Sequence, residues 1–93
     1  MNHINIAVID RDLKAFNLHM EHRRREYPQH VKYYKTTNTI VDESSGCDYR
    51  FYPLCSEKDT FTFAGVRIDR VEVWSTHFDY GVLSWALNRL NWQ

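Results

Sequence analysis

The chain has 93 residues, of which 43% are hydrophobic and 15% aromatic, and its twelve basic and twelve acidic side chains cancel to a formal net charge of zero. This length suits one small domain, residues 1–93, that buries roughly two-thirds of the surface of its unfolded chain. The neutral balance, with a sequence pI of about 7.0, argues against the basic excess of nucleic-acid-binding domains.

The location of the protein is predicted from what the sequence lacks. No apolar run approaches the ~18 residues of a membrane span, and the first ten residues do not have the pattern of a signal peptide. Cys47 and Cys55 have no zinc-binding spacing and form no disulfide framework, so we expect free thiols in a reducing compartment. We therefore expect a soluble, cytoplasmic protein.

The first predicted elements are a strand and a helix. INIAVI, residues 4–9, is a β-branched apolar run, typical of a strand buried on both faces. Asp10 or Asp12 can cap the helix that follows, and Pro28 ends it. The predicted buried face of this helix consists of Leu13, Phe16, Met20 and Tyr27.

The middle of the chain predicts a hairpin. VKYYKTTNTIV, from Val31, and CDYRFYPL, from Cys47, are rich in residues that favour strands, and the segment between them contains Gly46. DTFTF, residues 59–63, places its two phenylalanines on one face and predicts a further short strand.

A last strand and helix complete the prediction. RVEVWS, residues 70–75, places Val71 and Val73 on a core face and Glu72 and Trp74 on the other. Ser75, Thr76 or Asp79 can cap the final helix. Its predicted buried face consists of Leu83, Ala86, Leu87 and Leu90.

The resulting order, β-α-β-β-(β)-β-α, predicts a single α/β domain. We expect a Rossmann-like mixed sheet with two helices, arranged as a small two-layer or three-layer sandwich. The alternative is an α+β fold, in which both helices cover one face of an antiparallel sheet.

Four segments together resemble the core of P-loop ATPases of the phage terminase and helicase type. They are INIAVIDRDLKAFNLHM, ESSGCDYRFYP, FAG and IDRVEVWSTHF. The resemblance implies an α/β fold and a phage origin.

Two functional parts of that family are missing from the sequence. The chain has no G-x-x-x-x-G-K-[ST] loop to bind phosphates, and the positions expected to hold Asp and Glu are occupied by Trp74 and Ser75. An indole does not coordinate magnesium, and a serine hydroxyl needs an activating partner to act as a base. The resemblance therefore implies a remnant without nucleotide or metal cofactor.

Other catalytic and metal-binding patterns compete with simpler interpretations. His19, His22 and Glu26 could supply metal ligands from one helix face, but no second cluster completes a site. Asp10 and Asp69 could form a metal-dependent phosphohydrolase or nuclease site if their strands are neighbours. Capping and strand-start roles explain both residues more simply.

A serine or cysteine nucleophile is the remaining catalytic option. Ser75 with His77, or a cysteine with a histidine, could form such a pair. Because Ser75 lies at a predicted helix start, capping is the preferred role. We predict no catalytic, cofactor-binding or metal-binding residue.

Aromatic and arginine side chains predict a binding function, because these residue types dominate protein interfaces. The candidates for partner binding are Tyr33, Tyr34, Tyr49, Arg50, Tyr52, Trp74 and Trp92. We expect a small, non-enzymatic accessory protein of a virus, acting in the host cytoplasm by binding and inhibiting a host enzyme or defence complex. An unpaired sheet edge could also support a homodimer.

The first alternative is a module that binds single-stranded nucleic acid. In that hypothesis Arg23, Arg24 and Arg25 contact phosphates and exposed rings stack on bases. The second alternative is the hydrolase built on Asp10 and Asp69.

Overall fold

The computed structural model describes residues 2–91 as a sheet of five strands with an α-helix on each face. The elements in chain order are β1 (Asn2–Ile9), α1 (Leu13–Arg25), β2 (Val31–Tyr34), β3 (Thr39–Asp42), β4 (Cys47–Leu54), β5 (Arg70–Val73) and α2 (Tyr80–Asn91). Two 3₁₀ helices, Lys35–Thr37 and Glu57–Phe63, connect strands. The predicted α/β architecture is confirmed in its three-layer form.

The sheet is mixed, in the order β2-β3-β4-β1-β5. β1 pairs in parallel with both β4 and β5, whereas β2, β3 and β4 pair antiparallel. The antiparallel α+β alternative is therefore wrong. The sheet has a parallel half, centred on β1, and an antiparallel half that ends at β2.

The second half of β1 forms the centre of the core. All four residues from Ile6 to Ile9 are at most 1% exposed, which confirms a strand buried on both faces. Ile6 and Val8 point to the α1 side, while Ala7 and Ile9 point to the α2 side. Because successive side chains of a strand point to opposite faces, β1 contributes residues to the cores on both sides of the sheet.

Helix α1 is capped by Asp12, whose Oδ1 accepts a hydrogen bond from the Ala15 amide at 2.7 Å. Phe16 and Met20 are fully buried against the sheet, as predicted, but Leu13 is 58% exposed. Leu13 lies in the first turn, directly after the loop that leaves β1, so the buried face begins only at Ala15.

Helix α2 is capped by Asp79, whose Oδ1 accepts hydrogen bonds from the amides of Gly81 and Val82 at 2.8 and 3.3 Å. Val82 and Ala86 are buried against the sheet. Leu87 and Val73 are 43% and 44% exposed, so their prediction as core residues is wrong. Val73 is the last residue of β5, the strand at the edge of the sheet.

Two predicted strands differ from the structure. The first strand of the hairpin is interrupted after Tyr34, because Asn38 adopts a left-handed conformation with φ 49° at the end of a 3₁₀ turn. The segment becomes β2 and β3 instead of one strand.

DTFTF is not a strand but the end of the 3₁₀ helix Glu57–Phe63. A capping box starts this helix: Asp59 accepts hydrogen bonds from the amides of Cys55 and Ser56 at 2.7 and 2.9 Å. These bonds favour a helical turn over an extended chain.

Neither α1 nor α2, nor any other helix in residues 2–91, has the length and apolar character needed to cross a membrane.

Candidate binding surface

The two strands that carry the predicted tyrosines direct them to opposite faces of the sheet. In β2, Tyr33 packs with the α1-side core, whereas Tyr34 is 49% exposed. In β4, Tyr49 packs with the α1-side core, whereas Tyr52 points to the α2 side. Because alternate residues of a strand face opposite ways, the predicted single surface is divided in two.

On the α2 side, the helix covers only the parallel half of the sheet, where it packs on β1 and β5. Within residues 2–91 there is no further α-helix for this side of the antiparallel half, and the 3₁₀ helix Glu57–Phe63 packs on β4. We call this uncovered part the open face. It forms a shallow concavity of about 540 Å³, lined by Tyr34, Thr37, Thr39, Val41, Asp48, Arg50 and Tyr52.

The register of the strands places side chains of the open face in a row that runs across the sheet. Tyr34 pairs with Thr39, and Thr39 pairs with Arg50 across three neighbouring strands. Tyr52 lies at the boundary with the α2-side core, where its ring meets Phe63 edge-on with centroids 5.4 Å apart. The face therefore presents one exposed tyrosine, one exposed arginine and one anchored tyrosine on a rigid sheet.

The charges around the open face are partly neutralised. His3 Nδ1 lies 2.9 Å from Oδ2 of Asp48. Lys32 forms an ion pair with Glu43 at 2.8 Å, and this carboxylate raises the pKa of the Lys32 ammonium. Among residues 2–91, Arg50 has no carboxylate within ion-pair distance, so its guanidinium is left for a ligand.

The other predicted partner-binding residues lie in the α1-side core or beyond the described chain. Trp74 stacks on Phe16 with centroids 5.6 Å apart and an angle of 10°. Tyr33 lies beneath the guanidinium of Arg24 at 5.5 Å, and burial raises the pKa of its phenol. Trp92 lies outside the described residues.

The predicted arginine cluster is divided by ion pairs. Arg23 binds Glu72 at 3.1 Å, and Arg24 lies 3.6 Å from Glu21. Only Arg25 of the three has no carboxylate partner among residues 2–91. Two of the three charges proposed for phosphate contacts are thus paired with carboxylates of the chain itself.

Asp10 and Asp69 lie at opposite ends of the paired segments of β1 and β5. Asp69 Oδ2 accepts a hydrogen bond from the Asn5 amide at 2.9 Å, whereas Asp10 follows Ile9, which pairs with Val73. The strands are neighbours, but the carboxylates do not converge. Within residues 2–91, no group of three or more His, Cys, Asp and Glu side chains is arranged to hold a metal ion.

The predicted nucleophiles have structural surroundings. Ser75 Oγ accepts a hydrogen bond from the His77 amide at 3.1 Å, which stabilises a turn rather than capping α2. Burial raises the pKa of the Cys55 thiol to about 11. A thiol with so high a pKa carries little of the reactive thiolate at neutral pH.

The sequence prediction missed the pair formed by Asp10 and His19. Asp10 is 1% exposed, and its Oδ2 lies 2.6 Å from Nδ1 of His19. A signal was present, because His19 follows Phe16 by three positions and precedes Met20 on the buried side of α1. A polar residue in that place requires a hydrogen-bond partner beneath it.

Comparisons with protein-family models, with curated proteins and with solved structures each give no match. The resemblance to P-loop ATPase cores therefore stays a prediction, and the functional proposal rests on the geometry of the surface.

Proposed function

We propose that this protein acts by binding another protein through the open face. The observation that carries the proposal is that α2 does not extend over the whole sheet: it packs on β1 and β5, and Tyr34 and Arg50 lie exposed beside it, next to the half-buried Tyr52. A sheet face normally needs a covering layer to bury its apolar side chains. A partner would supply that layer.

The residue types of the open face suit a protein partner. Tyrosine offers a large contact area with few rotatable bonds, and arginine donates forked hydrogen bonds to carboxylates or carbonyls. These groups stand on paired strands, so little backbone conformational freedom is lost on binding. The unpaired outer edge of β2 adjoins the face and could add main-chain hydrogen bonds, from a foreign protein or from a second copy.

The non-enzymatic part of the proposal is supported by the separation of Asp10 and Asp69 and by the raised pKa of Cys55. We further propose a viral accessory protein that acts in the host cytoplasm by inhibiting a host enzyme or defence complex. This finer proposal draws on the resemblance to a phage ATPase core alone.

Affinity capture with matched variants tests the role of the open face. Tagged wild-type protein, the double variant Y34S/R50E and the control F61S are incubated with cell extract, and bound proteins are quantified by mass spectrometry. Phe61 is 79% exposed but lies outside the open face. One protein should be recovered in stoichiometric amount with wild type and F61S and be lost with Y34S/R50E.

The captured protein is then purified and its Kd measured against the same three forms. We expect the double variant to weaken binding by roughly a thousandfold, since two hot-spot residues at about 2 kcal/mol each sum to about 4 kcal/mol. Equal Kd values for Y34S/R50E and F61S would refute the open face as the site. Recovery of nucleic acid alone would favour the single-strand-binding alternative.

A further inference from the structure

A second concave surface lies at the carboxyl ends of the parallel strands. It is a groove of about 470 Å³ between α1 and the loop that joins β5 to α2. Arg11, Lys14 and His19 line it from one side, and Ser75, Thr76 and His77 line it from the other. It shares no lining residue with the open face, so the two surfaces are separate.

The topology explains why a groove forms here. β1 and β5 are parallel neighbours, but the chain leaving β1 enters α1 on one face of the sheet, while the chain leaving β5 enters α2 on the other. The two connections diverge from adjacent strand ends and leave a crevice between them. In open α/β sheets, such crevices are where ligands bind.

The polar groups that line the groove are cationic or neutral. Arg11 Nε contacts Asp12 at 3.0 Å, and Lys14 has no ion-pair partner among the described residues. No carboxylate lines the groove. Asp12 and Asp10 lie behind the lining, where they pair with Arg11 and His19, but the side chains that line the groove are themselves basic or neutral, which favours an anionic ligand.

The histidine in the groove has a fixed orientation. Asp10 Oδ2 holds Nδ1 of His19 at 2.6 Å, and Asp10 Oδ1 accepts the Arg11 amide at 2.7 Å. The edge of the His19 ring faces Trp74 at 6.3 Å. Because Nδ1 is engaged, Nε2 is the ring nitrogen that is left for a ligand in the groove.

The opposite wall supplies hydroxyl groups. Ser75 Oγ already accepts the His77 amide at 3.1 Å, so its O–H can be donated to a ligand oxygen. Thr76 lines the same wall. Ammonium, guanidinium and hydroxyl donors around one crevice form the donor set that phosphate oxygens require.

We propose that this groove binds the phosphate group of a small phosphorylated ligand. Lys14 and Arg11 supply charge, the Nε2 atom of His19 supplies an acceptor for a phosphate hydroxyl, and Ser75 supplies a hydroxyl donor. Free phosphate and a nucleoside monophosphate share this chemistry, and the experiment separates them.

The test is a titration of ¹⁵N-labelled protein, followed by amide NMR shifts at constant ionic strength. The probes are inorganic phosphate, adenosine monophosphate and adenosine. We expect saturable shifts at residues 11–19 and 74–77 with the two phosphate-bearing probes and none with adenosine. Tighter binding of the monophosphate than of inorganic phosphate would identify a nucleotide as the source, and equal binding would identify the phosphate alone.

Matched variants localise the binding. Lys14→Ala should raise the Kd roughly tenfold, as a lost charge-assisted hydrogen bond implies, and Ser75→Ala should raise it less. Lys58→Ala and Ser84→Ala, exposed residues outside the groove, should leave the Kd unchanged. Shifts that do not saturate, equal effects of Lys14→Ala and Lys58→Ala, or adenosine binding as tightly as its monophosphate would each overturn the proposal.

Discussion

The carboxylate of Asp10 forms a hydrogen bond with the imidazole of His19, with Oδ2 and Nδ1 separated by 2.6 Å. Asp10 is buried directly after the last residue of β1, and its other oxygen accepts a hydrogen bond from the Arg11 amide. One acidic side chain therefore joins β1, the loop after it and the second turn of α1.

Removing this carboxylate should destabilise the fold. Asp10→Ala leaves the Arg11 amide and the His19 ring without their acceptor, and we expect the free energy of unfolding to fall by about 1–3 kcal/mol. Asp10→Asn keeps an acceptor oxygen and should cost less. Urea denaturation measures the difference, with exposed Glu57→Ala as the control. Equal unfolding free energies for Asp10→Ala and Glu57→Ala would contradict this role.

Trp74 should act as a packing residue of the α1-side core. Its ring stacks on Phe16 and lies 5.7 Å from the centroid of Phe51. We expect Trp74→Ala to lower the free energy of unfolding by about 3 kcal/mol, as for other large-to-small aromatic substitutions. Trp74→Phe should retain most of the stability. Tyr80→Ala, at a residue 76% exposed, should change it by less than about 0.5 kcal/mol.

The cap of α1 should make stability depend on pH. The Ala15 amide, and then the Arg11 side chain, lower the pKa of Asp12 below its ordinary value of 3.8. A lowered carboxyl pKa stabilises the folded state above the ordinary value, and that stabilisation is lost as the pH falls through the folded-state pKa.

Thermal unfolding of wild type and Asp12→Ala at several pH values checks this. The Tm of the variant should be lower at pH 7, and the gap should narrow below a pH of about 3.8. The variant Glu57→Ala serves as the surface control. A gap that stays constant down to pH 2 would show that the ionised carboxylate is not what stabilises the helix.

Cys55 should react slowly with alkylating agents. With its pKa raised to about 11, the thiolate fraction at pH 8 is roughly two orders of magnitude below that of an ordinary thiol. In the variant Cys47→Ser, iodoacetamide labelling of Cys55 should be correspondingly slow in the folded protein and fast in urea. Fast labelling of the folded variant would disprove the effect of burial.

Local sequence signals predict the parts of this fold that depend on neighbouring residues. The apolar run of β1, the cap at Asp12 and the apolar periodicity of both helices are patterns within a few positions. Two further local features indicate elements that the prediction missed. Asn38 is a residue type that tolerates the left-handed conformation of a turn, and Ser56 with Asp59 has the spacing of a helix capping box.

The division of the tyrosines between two faces was not predictable from local patterns. Alternation shows that Tyr33 and Tyr34 point in opposite directions, but only the placement of α1 and α2 decides which of them is covered. The pairing of Asp10 with His19 likewise depends on how α1 packs on β1. Such relationships are set by tertiary packing.

The position of β1 between β4 and β5 also has a consequence for how the protein folds. Its partners in the sheet, β4 and β5, begin at Cys47 and Arg70, so the most apolar segment of the domain stays unpaired until much of the chain has been synthesised. Contacts between such distant segments slow folding. Nascent chains that stop before Arg70 expose one edge of β1, which makes them candidates for capture by chaperones or for aggregation.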